Sequence, residues 1–187
     1  DSTFYHAVIP ALINAQHNRA DITFIVLDNQ GTAMTGFQPH PGIEVNALKE
    51  SVPAVDIAAV CRAIGAKVTV CDPFDLAATG AVLTDFLAEK GLLKVLILRQ
   101  ACALSPEKKG KKTFEMKVDE DLCLGDACGC NRLCTRIFRC PALVWDRKKK
   151  KAAIDEVVCA GCGVCASICP QKAIVKTPVA SAFASGG

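Results

Sequence analysis

Aromatic side chains are scarce in this chain: eight Phe, one Tyr and one Trp make up 5% of its 187 residues. With no aromatics interleaved among its basic residues it lacks a stacking platform for bases, which argues against nucleic acid as a partner. Histidine is rarer still, at three. No apolar run approaches the ~20 residues needed to cross a bilayer. The N-terminus has no basic flank followed by an apolar stretch and a small-residue cleavage site. Neither membrane insertion nor export is therefore expected. A large excess of one charge is also missing, the net charge being +3. The lysines gather at residues 108–112 and 148–151. They read either as solvated linker and turn or as a docking surface for an acidic electron carrier.

Cysteine is abundant. Of twelve, nine fall within residues 123–169. In an exported chain that would imply disulfides, but the spacing opposes it. Cys159-Ala-Gly-Cys162-Gly-Val-Cys165-Ala-Ser-Ile-Cys169-Pro170 places thiols at every third position. Such a run cannot pair well with itself, yet it can wrap one compact inorganic cube. Thiolates are soft ligands that suit iron–sulfur chemistry. The spacing C-x2-C-x2-C-x3-C-P is that of bacterial [4Fe-4S] ferredoxins, in which the fourth cysteine serves the other cluster. Cys169 therefore requires a second cysteine group. Gly161 and Gly163 allow the backbone to curl towards the cube, and Pro170 turns the chain away from it. Oxygen-labile clusters imply a reducing cytoplasm and an anaerobic cell.

The second group lies upstream, in an internal repeat. Val118-Asp-Glu-Asp-Leu-Cys123 leads to Cys140-Pro-Ala-Leu-Val144, and Ile154-Asp-Glu-Val-Val-Cys159 leads to Cys169-Pro-Gln-Lys-Ala-Ile-Val175. Each half reads as strand, cysteine loop, short helix and strand, with residues 145–151 as an exposed turn between them. Cys140 then joins Cys159, Cys162 and Cys165 on one cube. Cys169 joins three of Cys123, Cys128, Cys130 and Cys134 on the other. Cys123 and Cys134 are the firmer members. Between Cys128 and Cys130 the pattern favours Cys130.

Residues 1–104 alternate helix and strand. Apolar residues at helical intervals predict a helix over 4–18, which Pro10 can kink. Helices are also expected over 56–64, with Gly65 as its stop, and over 75–89, opened by Asp75 and closed by Gly91. Strands are expected over 22–27, 67–71 and 93–98, the first and last as buried parallel strands. This order implies a parallel sheet with right-handed crossovers, so ligands belong at the carboxyl ends of the strands. Two segments meet there. Asp1-Ser2-Thr3 opens the first helix, and Asp28-Asn29-Gln30-Gly31-Thr32 follows the first strand. A carboxylate, an amide oxygen and a carbonyl make an oxygen site for Mg²⁺, and helix-terminal amides suit a diphosphate. An N-capping Asp and a turn Asn are the plain alternative. His6 and His40 are candidates for contact with cofactor or substrate, whereas His17 reads as helix surface. Cys61, Cys71 and Cys102 read as small buried hydrophobes.

The segment 1–42 resembles the diphosphate-binding half of thiamine diphosphate enzymes. More narrowly, Asp1-Ser-Thr-Phe-Tyr-His6, Ile9-Pro-Ala-Leu-Ile-Asn14, Leu27-Asp-Asn29, Thr32-Ala-Met-Thr-Gly36 and Gln38-Pro-His-Pro-Gly42 resemble the large subunit of the indolepyruvate ferredoxin oxidoreductase family. The resemblance implies an α/β fold. A parallel-sheet, Rossmann-like thiamine diphosphate domain, incomplete at its N-terminus, fills residues 1–104. A linker at 105–117 precedes a small α+β two-[4Fe-4S] ferredoxin-like domain at 118–176 and a disordered tail at 177–187. It also implies Asp1, Asn29 and the Gly31 carbonyl as Mg²⁺ ligands, Ser2, Thr3 and Thr32 beside the diphosphate, and Met34 and Thr35 beside thiazolium and substrate. The activity implied is oxidative decarboxylation of aryl pyruvates to acyl-coenzyme A, with electrons leaving for ferredoxin. A second subunit is implied as partner. An apolar Met34, where related pyruvate enzymes carry asparagine, suits an aryl side chain. Another 2-oxo acid, or a non-catalytic electron-transfer module, are the alternatives. In the family a glycine and a strand precede the aspartate, and a separate pyrimidine-binding domain supplies a glutamate. Their absence here is expected of a fragment, or of a chain cut during processing, and the fragment is expected to be inactive alone.

Overall fold

A computed structural model describes residues 1–105 and 111–179. It divides into two compact units, Asp1–Ser105 and Pro106–Gly187. The first contains β1 (Ile22–Asp28), α2 (Ile57–Ile64), β2 (Lys67–Cys71), α3 (Leu76–Ala88) and β3 (Leu93–Arg99), preceded by helix α1 (Ile9–His17). The three strands are parallel in the order β1-β3-β2.

The helical backbone begins at Ser2, forms a π-helical turn at Phe4–Val8 and continues as α1. Pro10 lies in the first turn of α1. It has no amide to return to the carbonyl four residues back, and the wider π turn absorbs that loss. Asp56 caps α2 by accepting from the Ala59 amide at 2.6 Å, and Asp75 caps α3 by accepting from Ala78 at 3.0 Å. Gly65 ends α2 at φ +98°. Phe4, Leu12, Ile57, Ala58 and Cys61 close over Val26, Leu93, Val95 and Ile97, so α1 and α2 cover one face of the sheet.

Strand β1 departs from the expected buried strand. It has one neighbour, β3, and forms the edge of the sheet. On the face opposite the core Ile25 is 43% and Leu27 67% exposed; α3 packs against β2 and reaches β1 where the Thr23 hydroxyl donates to the Phe86 carbonyl. Lys94, in the central strand, is buried to 2% exposure. Its ammonium donates to Asp21 Oδ1 at 2.7 Å and to the Glu89 carbonyl at 2.6 Å, which satisfies a charge that burial alone would make costly.

The second unit has two small antiparallel sheets. Strand β4 (Phe114–Val118) pairs with β7 (Ile174–Pro178), and β5 (Leu143–Asp146) pairs with β6 (Lys151–Ile154). The stretch expected as linker, 105–117, thus ends in a strand. Phe114-Glu-Met-Lys-Val118 alternates apolar and charged residues, a period-two pattern that the neighbouring lysines obscure. Residues 106–110 and 180–187, with part of the expected linker and most of the expected tail, lie outside the described residues. Thr177 and Pro178 belong to β7 rather than to the tail.

The internal repeat is visible bond for bond. Val118 pairs with Ile174 as Ile154 pairs with Leu143. The Asp119 amide donates to Ala173 as the Asp155 amide donates to Ala142, both at 2.8 Å. Each aspartate carboxylate then accepts from two amides of the following turn. The Cys123 amide returns to the Asp119 carbonyl as that of Cys159 returns to Asp155, both at 3.0 Å. One Asx turn therefore launches each cysteine loop.

Candidate functional site

At the carboxyl ends of β1 and β3 the first unit gathers most of the polar residues singled out by the sequence. The backbone nitrogen of Asp1 donates to the Leu27 carbonyl at 2.7 Å, which fixes the aspartate beside the end of β1. One carboxylate oxygen of Asp1 accepts from the Ser2 amide at 2.7 Å and the other from the Gly31 amide at 3.2 Å. One terminal atom of the Asn29 amide stands 3.0 Å from Asp1 Oδ1, 3.1 Å from Asp1 Oδ2 and 2.8 Å from the Gly31 carbonyl oxygen. With nitrogen at that position the amide donates to all three. With oxygen there, acceptors from three residues crowd one point, and only a cation stabilises them. Adjacent ligands of an octahedral site with metal–oxygen bonds of about 2.0–2.1 Å lie about 2.9 Å apart. The spacing therefore fits a small hard dication such as Mg²⁺.

His40 holds this arrangement from behind. It is buried, its Nδ1 accepts from the Gly42 amide at 3.0 Å, and its Nε2 lies 3.1 Å from Asp1 Oδ2. An Nδ1 that accepts leaves the proton on Nε2, so the neutral ring donates to the Asp1 carboxylate. Burial pulls the His40 pKa below its ordinary value, against a smaller upward pull from Asp28. The Tyr5 ring stacks on His40 with centroids 5.5 Å apart, and its hydroxyl donates to the Val55 carbonyl at 2.6 Å. A side chain at Gly42 would place Cβ 2.2 Å from that hydroxyl, so only glycine lets the loop close there. Spacing in the sequence offers no route to this role for His40: it sits in a proline-flanked loop with no periodicity.

The remaining candidates stand around this centre. His6 donates from Nδ1 to the Ser2 carbonyl at 2.7 Å, within its own helix, and is exposed. Thr32 bridges to Gln38, and the Thr35 hydroxyl donates to Gln38 Oε1 at 2.6 Å. Met34 is fully exposed at the tip of this turn. Arg99, at the end of β3, pairs with the buried Asp28 at 2.7 Å and with Asp56 at 3.3 Å. Cys61 is fully buried and its thiol is pushed up to about 11 by burial, then by Asp56, as an inert core thiol should be. Cys71 and Cys102 are half-buried.

In the second unit Cys134, Cys140, Cys159, Cys165 and Cys169 pack into one core with Met116, Leu143 and Ile174. Burial pushes the Cys165 thiol up to about 11, and Cys162, Cys140 and Cys159 push it the same way. Those four are the set expected on one cube. Burial also raises Cys134, and charge on Cys130 and Cys169 adds to it. Cys123, Cys128, Cys130, Cys134 and Cys169 line one largely apolar hollow. Burial works upward on Cys130, but hydrogen bonds from the Cys128 thiol and the amides of Leu133, Arg132 and Cys130 outweigh it. Cys128 bonds to Cys130 and to Gln171, which lines the same hollow. Gly161 and Gly163 both have positive φ, +67° and +80°, as a curled loop requires. Among the described residues no three His, Cys, Asp or Glu side chains converge on a single metal ion. Thiolates round a cube stand farther apart than those round one ion, and two thiol-lined sets accord with cube chemistry.

Residues 1–96 match the family described as thiamine pyrophosphate enzyme, C-terminal TPP binding domain. The chain belongs to that family. The oxygen cluster of this TPP-binding domain thus lies where strand ends and a helix start can meet a diphosphate. Over 180 residues, 92% of this chain and 26% of the other, it is 41% identical to "Indolepyruvate oxidoreductase subunit IorA" of Thermococcus kodakarensis. It is 40% identical over 181 residues to the protein of the same name from Pyrococcus horikoshii, covering 94% and 27%. That from Archaeoglobus fulgidus is 41% identical over 180 residues, covering 93% and 27%. The chain spans about a quarter of the length of these curated relatives. No solved structure matches it. Among the described residues no helix is long and apolar enough to cross a membrane.

Proposed function

We propose that this TPP-binding domain and its cysteine unit are the C-terminal part of a 2-oxoacid:ferredoxin oxidoreductase large subunit acting on aryl pyruvates. The balanced reaction is R–CO–COO⁻ + CoA-SH → R–CO–S-CoA + CO2 + H⁺ + 2 e⁻. The observation that carries the reading is the convergence of Asp1, Asn29 and the Gly31 carbonyl at 2.8–3.1 Å, in the same chain as two thiol sets. Asp1, Asn29 and Gly31 would hold Mg²⁺. Thr3, at the start of a helix, with Ser2 and Thr32 beside it, would face the diphosphate, the Ser2 amide itself being held by the Asp1 carboxylate. Thiamine diphosphate, when bound, supplies the chemistry by which a 2-oxo acid loses CO2.

The chain's own residues then have distinct tasks. His40 donates to Asp1 Oδ2 and so keeps that carboxylate turned towards Asn29. Tyr5 clamps His40 from the side. Met34 presents an apolar thioether that accommodates an aryl group better than an amide would. In the second unit Cys140, Cys159, Cys162 and Cys165 would ligate one [4Fe-4S] cluster, and Cys169 with Cys123, Cys130 and Cys134 the other. Such clusters, when bound, would supply one-electron transfer towards ferredoxin. The names of the relatives favour indolepyruvate and a second subunit. The full-length protein with its partner subunit, assayed anaerobically with coenzyme A and a viologen dye, tests this. Indolepyruvate should turn over faster than pyruvate or branched 2-oxo acids. No Mg²⁺-dependent binding of thiamine diphosphate by calorimetry would sink the reading.

A further inference from the structure

Charge is distributed very unevenly along the chain. Residues 106–187 carry fifteen Lys and Arg against nine Asp and Glu, a formal +6, whereas residues 1–105 carry seven against ten. Within the second unit the excess is narrower still. Residues 123–151 hold eight basic side chains against two acids, while residues 152–179 hold two against two. The positive charge therefore belongs to the first cysteine loop and the turn that follows it.

The fold gathers these residues. A side chain on Gly125, in the first loop, would meet the Lys150 carbonyl at 2.2 Å, so the β5–β6 turn lies against that loop. Asp126 holds Arg132 through two bonds of 2.8 and 3.0 Å, and the charges of Lys150 and Arg136 also act on it. Arg132 lies over the Trp145 ring, 4.0 Å from its centroid. Two acids thus hold two of the cations: Asp126 takes Arg132, and Glu120 takes Lys149 at 2.6 Å. Arg136 and Arg139 bond instead to the neutral Asn131 amide and the Arg136 carbonyl. In the same π-helical turn, directly after Cys134, Ile137 is 70% and Phe138 38% exposed. Arg136, Arg139 and Lys148–Lys150 are all exposed as well. Apolar residues rimmed by one sign of charge are the anatomy of a transient docking site.

We propose that this face, Arg136-Ile137-Phe138-Arg139 with the 147–150 turn, docks an acidic single-electron carrier protein. Electrons accordingly leave through the thiol set of Cys123, Cys130, Cys134 and Cys169. The proposal rests on reading the cysteine loops as cluster sites. Each docking event moves one electron out of the unit and into the carrier, with no bond made or broken. Two encounters clear the pair released per 2-oxo acid.

The test uses the full-length holoenzyme complex under anaerobic conditions, with a purified, strongly acidic ferredoxin as the probe. Iron and acid-labile sulfide are measured first. A wild-type complex that lacks two four-iron clusters overturns the underlying reading and this proposal with it. In a loaded complex, Arg136→Glu/Arg139→Glu is expected to weaken ferredoxin binding by on the order of tenfold at low salt. The difference should shrink as salt rises, with cluster content and viologen reduction unchanged. Ile137→Ser should weaken binding at every salt concentration. Lys117→Glu reverses a charge beside Cys159, in the other thiol set, and should change nothing. Undiminished binding to both the Arg136/Arg139 and Ile137 variants, or loss with Lys117→Glu instead, overturns the docking face and leaves the cluster reading standing.

Discussion

The Nε2–H of His40 joins the Ser2 and Gly31 amides in presenting the Asp1 carboxylate. The acceptor role of Nδ1 towards the Gly42 amide fixes the tautomer, and the stacked Tyr5 ring fixes the plane. Outer-shell partners of metal ligands typically contribute 10- to 100-fold in metal affinity. His40→Ala in the full-length protein is therefore expected to raise the Mg²⁺ concentration needed for thiamine diphosphate binding by on the order of 10- to 100-fold. His40→Gln, which keeps a donor near Nε2, should recover part of it. Calorimetry across a Mg²⁺ series measures both, and an unchanged Mg²⁺ requirement in His40→Ala would remove the positioning role. A second residue-scale question concerns the five thiols of the first loop and Cys169. Cys130 acts on Cys134, whereas Cys128 reaches Cys130 and Gln171. Cys130→Ala is expected to cost one cluster, about half the iron, and Cys128→Ala to keep both. The reverse result would exchange their roles. The sequence made Asp1 and Asn29 visible, because strand–helix spacing and the motif around them brought both to one edge. The sequence presents His40 only as a candidate for contact with cofactor or substrate. Its link to Asp1 runs through a proline loop whose path no periodicity encodes.

At the scale of elements, apolar runs and caps located β1, β2, β3, α2 and α3 well, because each obeys its local chemistry. Asp56 and Asp75 accept from the amides three residues on, and Gly65 takes the left-handed conformation. Strand order was not legible: β3 enters between β1 and β2, a tertiary choice made by packing. The exposure of β1 was not legible either, since a continuous apolar run reads the same at an edge as at the centre. Strand β4 was hidden for a different reason. Its alternation is short, and its partner β7 lies more than fifty residues away, between Phe114–Val118 and Ile174–Pro178. Central β3 carries an element-scale prediction. The ammonium of Lys94 satisfies the Glu89 carbonyl and joins Asp21 across the end of α3. Lys94→Ala removes the buried stem and leaves that carbonyl without its donor. A loss of about 2–3 kcal/mol is expected, read as a lowered thermal midpoint. Lys94→Met, which keeps the stem's volume, should lose less. Equal stability of both variants with wild type would show that the buried ion pair contributes nothing.

For the molecule as a whole, the two units differ in what each needs to be complete. The cysteine unit carries all the thiols proposed as cluster ligands in one chain: Asp119 and Asp155 launch both loops, and Cys134, Cys140, Cys159, Cys165 and Cys169 pack with Met116, Leu143 and Ile174. The thiamine unit brings the Asp1 carboxylate, the Asn29 amide and the Gly31 carbonyl together beside a helix start. By the family resemblance, the carboxylate that acts on the aminopyrimidine is expected from a separate domain. The two halves of the activity should therefore separate in this 187-residue chain. Reconstituted anaerobically with iron and sulfide, it is expected to take up two four-iron clusters that dithionite reduces, seen as loss of visible absorbance and a paramagnetic signal. Mixed instead with indolepyruvate, coenzyme A, Mg²⁺ and thiamine diphosphate, it should leave those clusters oxidised. Only the full-length large subunit with its partner should reduce them from substrate. Cluster reduction by substrate in the chain alone would mean that Asp1, Asn29, Gly31 and their neighbours suffice for decarboxylation, and the division of labour argued here would fail.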